Sequence, residues 1–171
     1  MSKRDDRRLV CIVAGVGGHE AQAQILKELL IRTASNIDVK LILEDAGSRV
    51  KADCCITATS HLGKHGSQVS LIRFLPYFFI NVFELVLKFQ KLKRSYSKVS
   101  IISLGPFPAI PAYVASKILS CRFVSIESRS RFTTLSATNR LLHRIGAIVL
   151  SQHMNDEVRV RKINAIGVLL E

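Results

Sequence analysis

The chain alternates between short runs that are apolar throughout and longer runs that are apolar on one side. Residues 8–14, RLVCIVA, form a β-branched apolar run and predict a buried parallel strand. Residues 19–33 carry Ala21, Ile25, Leu29 and Leu30 at helical spacing and predict a helix. Runs at 37–43 (IDVKLIL), 53–59 (DCCITAT), 98–105 (KVSIISLG) and 122–128 (RFVSIES) predict four further strands. AIPAYVASKIL predicts a helix beginning near Pro108 or Pro111, TNRLLHRI a short helix, and GAIVLSQ a sixth strand, before NDEVRVRK and NAIGVLLE close the sequence. This alternation predicts an α/β, Rossmann-like domain: a mostly parallel sheet with helices on both faces. Ligands in such folds bind at the carboxyl ends of the strands. Three stretches fall there: GVGGHE at 15–20, SLGPFPAIP at 103–111 and IESRSR at 126–131.

One segment departs from this pattern. From Phe74 to Phe89 the strongly polar residues are Asn81, Glu84 and Lys88, and Lys91 continues the row. Their spacing puts them on one face of a helix whose remaining circumference is Phe, Tyr, Leu, Ile and Val. Pro76 suits the first turn of such a helix. A membrane-spanning helix needs about 20 apolar residues without a central charge, and this segment is shorter and contains Glu84. It reads either as a core helix or as an interfacial helix over 74–94. In the second reading Phe78, Phe79 and Phe83 enter the membrane. Lys88, Lys91, Lys93, Arg94 and Lys98 then meet an anionic leaflet, each contributing about 1 kcal/mol.

Composition sharpens the choice of partner. The 171 residues suffice for one well-buried domain and are too few for two of ordinary size, so 1–171 reads as a single domain. The net charge of +12 and pI near 10.0 call for an anionic partner, nucleic acid or membrane. Interleaved surface aromatics, zinc ligands and a helix-turn-helix signature are lacking, and the apolar helix beside the basic cluster favours the membrane. Cys11, Cys54, Cys55 and Cys121 sit in apolar, strand-like runs without a CxxC and read as reduced, buried thiols. No signal peptide is recognisable. These features place the protein at the cytoplasmic face of the cell membrane.

Gly15, Gly17 and Gly18 allow a tight strand-to-helix turn, and the helix start offers free N–H groups and a positive dipole end. The dinucleotide fingerprint needs its third glycine where Glu20 stands, and a glutamate there repels pyrophosphate. Glu44 or Asp45 occupies the place of a ribose-binding acid, so a stand-alone dinucleotide-binding protein stays open as an alternative. A basic nucleic-acid-binding protein is the other. His19 enters the crevice from the helix start, where the dipole disfavours imidazolium, so a neutral ring is expected. It is either a reacting group or a helix cap.

GVGGHEAQ, SLGPFPAIPAYVASKIL and SIESRSRFTTLSATNRLLHRIGAIVLSQ, in this order, resemble an Alg-fourteen-like and PssD-like family. These are the membrane-anchoring, acceptor-binding subunits of two-chain glycosyltransferases. The eukaryotic member acts in asparagine-linked glycosylation, and the bacterial members serve exopolysaccharide or capsule assembly. The resemblance implies the N-terminal half of a GT-B glycosyltransferase, similar to the lipid II-forming N-acetylglucosaminyltransferase. It implies transfer from a UDP-sugar to a polyprenyl-diphosphate-linked saccharide, in a heterodimer whose separate partner chain binds the donor. Activity is then expected only with that partner, and neither cofactor nor metal is implied.

By position, Gly15, Gly17, Gly18 and His19 would face phosphates at the cleft, with His19 a candidate general base on the acceptor hydroxyl. Ser103, Gly105 and Pro111 match the second motif, and Glu127, Ser128 and Arg131 the third. Arg131 or Arg129 would pair with phosphate, and Glu127 would be an alternative base or orient a neighbour. The eukaryotic members usually carry an N-terminal membrane span. This sequence shows none, which implies the bacterial branch and places membrane attachment on 74–94.

Overall fold

The computed structural model describes residues 7–15, 17–45, 51–57, 71–128 and 135–151. The elements run β1 (Arg8–Ala14), α1 (Gly18–Thr33), β2 (Ile37–Asp45), β3 (Cys54–Thr57), α2 (Leu71–Ser95), β4 (Lys98–Leu104), α3 (Pro106–Ile118), β5 (Arg122–Ile126), α4 (Ala137–Arg144) and β6 (Ile148–Leu150). All six strands are parallel, in the order β3-β2-β1-β4-β5-β6. The fold is α/β and Rossmann-like. NDEVRVRK and NAIGVLLE lie outside the described residues.

β1 and β4 are buried along nearly their whole length because both of their faces are covered. On one face Leu9, Cys11, Val13 and Ile101 pack with Leu85 and Phe89 of α2, Ala112 and Ala115 of α3 and Leu142 of α4. On the other, Val10, Ile12, Ala14, Leu41, Leu43 and Ile102 pack with Ala23 and Leu30 of α1. The strand order reverses between β1 and β4. Chain leaving β1 turns into α1 on one face, and chain leaving β4 turns into α3 on the other. This is the topological switch point, where a crevice opens above the carboxyl ends of the two strands.

Four sequence expectations change. Of the four cysteines expected to be buried, Cys11 is, Cys54 and Cys121 are half-buried, and Cys55 is exposed. The buried face of α1 is Glu20, Ala23 and Leu30, while Ile25 and Leu29 of the expected stripe face solvent. Apolar side chains lie on several sides of α1, so their spacing does not single out one face. α3 starts at Pro106 rather than near Pro108 or Pro111. Gly105, at φ +116°, makes the turn, and Pro106 takes the first helical position, where its missing N–H costs nothing. α2 begins at Leu71, so Pro76 lies inside the helix instead of in its first turn. Pro76 is exposed.

Candidate functional site

Two glycine turns build the crevice. Gly17, at φ +79°, caps α1 without a side-chain hydrogen bond, and Gly105 caps α3 in the same way. A Cβ at Gly17 or Gly18 would meet nothing within 4 Å, so this turn faces open space. Gly15 is different: a Cβ there would lie 3.3 Å from Glu44 Oε2 and 3.9 Å from Pro108 Cδ. Glycine at 15 lets the end of β2 and the start of α3 close on β1.

His19, the second residue of α1, reaches across the switch point. A Cβ at Gly105 would stand 3.0 Å from its Cγ and 3.3 Å from its Cδ2. The ring therefore lies over the β4–α3 turn. Its Nδ1 is buried and has no hydrogen-bond partner. Burial lowers the His19 pKa, and the Glu127 charge opposes that shift without cancelling it. The lowered pKa favours the neutral imidazole. The largest cause is desolvation rather than the helix dipole.

Glu127 follows β5 and is 3% exposed. Its Oε1 accepts from Ser128 N at 2.9 Å, and its Oε2 from Ser136 N at 2.7 Å and Asn139 Nδ2 at 3.0 Å. Burial pushes the carboxyl up, but the bonds from Ser136, Asn139 and Ser128 together outweigh it and hold the group below the usual carboxylate range. A carboxylate held this way is a weak base. It fixes the chain on either side of 129–134 instead. Of the two roles expected for Glu127, the geometry fits that of orienting its neighbours.

The network around Glu127 was not anticipated. Asn139 Oδ1 accepts from Ser125 Oγ at 2.6 Å, and Ser136 Oγ caps α4 by accepting from Asn139 N at 3.2 Å. The Ser-x-x-Asn spacing before LL, close to a capping box, is the signal that points to it. Ser103 stands beside Val13 of β1 and Ser125 of β5. It is fully buried, and its Oγ has no partner. Pro111 is buried inside α3, past its first turn. Arg129 and Arg131 lie outside the described residues.

Among the described residues, the buried side-chain polar atoms without a partner are His19 Nδ1, Gln22 Oε1, both amide atoms of Asn81, and Ser103 Oγ. Native interiors leave few such atoms, because each costs roughly 1–3 kcal/mol. Of these, His19 Nδ1 and Ser103 Oγ lie at the carboxyl end of the sheet beside the switch point. No group of three or more His, Cys, Asp or Glu among the described residues is arranged to hold a metal ion. Glu44, one of the two acids expected at the ribose-binding position, is 1% exposed, packed against Gly15 and already engaged. Glu44 presents no free carboxylate to a ribose, and the side chain of Asp45 lies outside the described residues.

α2 carries its apolar surface outward. Leu75, Phe79, Ile80, Phe83 and Leu87 recur along one exposed side, with Phe79 and Phe83 60% and 64% exposed. Asn81, Leu85 and Phe89 are fully buried on the opposite side. Glu84 is held inward by Thr57, whose N and Oγ1 donate to its carboxylate at 3.0 and 2.7 Å. The basic cluster divides. Lys91 and Arg94 are exposed. Lys88 lies 3.8 Å from Glu84, and Lys93 donates to the Leu119 carbonyl at the end of α3. Lys88 and Lys93 were expected on the membrane side and are instead tied to the body of the domain. Phe78 is half-buried. No helix among the described residues is long and apolar enough to cross a membrane.

No family model and no curated protein matches the chain. Among solved structures it is similar to MurG of Acinetobacter baumannii, with a TM-score of 0.53 and 17% identity, over 85% of this chain and 41% of that one. At this identity the likeness concerns the fold: the chain spans less than half the length of MurG.

Proposed function

We propose that the chain is the acceptor-binding, membrane-anchoring subunit of a two-chain GT-B glycosyltransferase. Its reaction moves a sugar from a UDP-sugar to a polyprenyl-diphosphate-linked saccharide in polysaccharide biosynthesis. The observation that carries this reading is the meeting of the first two motifs at the switch point, His19 over Gly105, with Glu127 near enough for its charge to act on the ring. The likeness to MurG, a GT-B glycosyltransferase with a lipid-linked acceptor, supports it. That likeness extends over 41% of MurG, as suits a chain that supplies one half of such an enzyme.

In this reading the uncapped N–H groups at the start of α1 face the diphosphates, while Pro106 and Pro108 leave the start of α3 few donors, so that α3 contributes chiefly its dipole to offset the negative charge. Nδ1 is buried, so the proton-accepting role is assigned to His19 Nε2. It takes the proton of the acceptor hydroxyl as that oxygen bonds to the donor's anomeric carbon. The bond from that carbon to the diphosphate breaks, and UDP departs with the electron pair. Glu127 positions the neighbouring chain and does not take the proton. The donor site belongs to a separate partner chain.

The outer side of α2 supports peripheral attachment at the cytoplasmic face of the membrane. Exposed apolar patches of this kind mark interaction surfaces. Lys91 and Arg94 beside the aromatic side chains favour an anionic leaflet. The test is glycosyl transfer from a panel of UDP-sugars to a polyprenyl-diphosphate saccharide, by the chain alone and with the donor-binding partner. Transfer with both chains and none with either alone is expected. A complex of the two that transfers no sugar would refute the assignment.

A further inference from the structure

Two of the buried polar atoms without a partner sit on one helix, one turn apart. His19 Nδ1 and Gln22 Oε1 belong to residues three apart near the start of α1. Side chains at that spacing are neighbours on a helix, with Cβ atoms about 5–6 Å apart. Helical side chains lean toward the helix start, so Gln22 leans back over the turn that carries His19. The other stranded atoms lie elsewhere. Ser103 alternates along β4 with Ile102 and Leu104, which pack on the α1 side of the sheet, so it points to the opposite side. Asn81 lies on α2, whose Leu85 and Phe89 pack on that opposite side too. Glu20 adjoins His19 in the chain, but adjacent residues do not face each other on a helix, and its side chain is buried and already engaged. Among the described residues, Gln22 Oε1 is thus the unpartnered buried atom on His19's side of the sheet.

The two atoms match chemically. A glutamine carbonyl oxygen only accepts, and a neutral imidazole carries one N–H and one lone pair. With the N–H on Nδ1, one bond satisfies both atoms at once. The bond made by one ring nitrogen also decides what the other can do. We propose that Gln22 is a positioning residue for His19: its Oε1 accepts from Nδ1–H, which holds the proton on Nδ1 and leaves the lone pair on Nε2. The two atoms are not bonded in this structure. Rotation about the three torsions of the Gln22 side chain closes the gap with the helix unmoved. Glu127 acts on the ring through its charge, but its oxygens take their bonds from Ser128, Ser136 and Asn139. The catalytic meaning of the pair rests on the glycosyltransferase reading, in which Nε2 must be free of its proton to take that of the acceptor hydroxyl. An imidazole in water favours the proton on Nε2, and His19 in that form would be a donor instead of a base.

The experiment reads the tautomer of His19 by long-range proton–nitrogen correlation spectra of the full chain with isotope-labelled histidine, at pH 8. The His19 signals are assigned by their loss in His19→Ala. Wild type, Gln22→Leu and Gln22→Glu are compared, and the thermal unfolding of each is recorded. The wild type should hold the proton on Nδ1. Gln22→Leu should move it to Nε2 and unfold at nearly the same temperature. Gln22→Glu keeps an acceptor of the same reach and should restore the proton to Nδ1. A wild type with the proton on Nε2 overturns the proposal, and so does a folded Gln22→Leu that keeps it on Nδ1. In the two-chain transfer assay Gln22→Leu should lower kcat about tenfold at an unchanged KM, the scale of one hydrogen bond of ordinary strength, and Gln22→Glu should recover most of the loss. An unchanged kcat in Gln22→Leu denies Gln22 its positioning role and leaves the glycosyltransferase reading standing. A complex that moves no sugar removes that reading, while the tautomer still decides the pairing.

Discussion

The imidazole of His19 occupies the space that a side chain at Gly105 would need: a Cβ there would come within 3.0 Å of its Cγ. One motif thus supplies the ring and the other supplies the gap. The two sit on opposite sides of the point where the sheet reverses its strand order. Gly105→Ala should cost stability twice, through an L-residue at φ +116° and through displacement of the ring. About 2–4 kcal/mol is expected by urea unfolding, with part of the loss recovered in the His19→Ala, Gly105→Ala double variant. Gly18→Ala meets no atom within 4 Å and should fold normally, so any loss of binding there reports on the ligand's approach to the turn.

The depressed pKa of His19 fixes the sign of a pH effect. The folded ring holds its proton less tightly than the unfolded one, whose pKa is about 6.5. The contribution is complete above that value and is lost as pH falls through the folded pKa. Unfolding free energy measured from pH 8 down to 5 should therefore decline less steeply in His19→Gln than in the wild type. Equal slopes would mean that the ring is not desolvated.

Glu127 gives the same sign at lower pH. Its hydrogen-bond donors favour the carboxylate, so its contribution is present above the ordinary glutamate range and fades as pH falls through the depressed folded value. Glu127→Gln turns one acceptor into a donor among those donors and should cost about 1–3 kcal/mol by urea unfolding. Asn139→Ala, which strands Ser125 Oγ and removes one donor to Glu127, should cost a similar amount. A Glu127→Gln variant as stable as the wild type would deny this carboxylate its structural role.

The sheet was legible in the sequence because β1 and β4 are covered on both faces, and their largely apolar runs, interrupted in β4 by Ser100 and Ser103, say so. The glycine turns were legible because a strand that ends in glycines at a helix start has few other uses. Side-chain facing was harder to read. Ile25 and Leu29 match a helical stripe yet face solvent, because α1 has apolar side chains on several sides. The row Asn81, Glu84, Lys88 defines a face of α2, but periodicity does not state that this face turns inward. The Glu127–Asn139–Ser125 network joins residues of β5 and α4 that meet through tertiary packing, so only its Ser136-x-x-Asn139 cap left a local trace.

The outward side of α2 predicts separable effects on membrane and fold. Phe79→Ser with Phe83→Ser should abolish flotation with vesicles of anionic lipid and leave thermal unfolding nearly unchanged, since both rings are already exposed. Lys91→Glu with Arg94→Glu should weaken binding to anionic vesicles and make the remainder insensitive to salt. Undiminished flotation of the double phenylalanine variant would remove α2 as the attachment surface.

The central claim is that this crevice supports glycosyl transfer to a lipid-linked saccharide once a donor-binding chain joins it. The direct measurement is transfer of labelled sugar from UDP-sugars to a polyprenyl-diphosphate saccharide by the two-chain complex, with wild-type His19 and with His19→Ala. Transfer by the wild-type complex is expected, with none by either chain alone and a loss of about 10²–10⁴-fold in kcat for the variant. A stable complex that moves no sugar from any donor would contradict it.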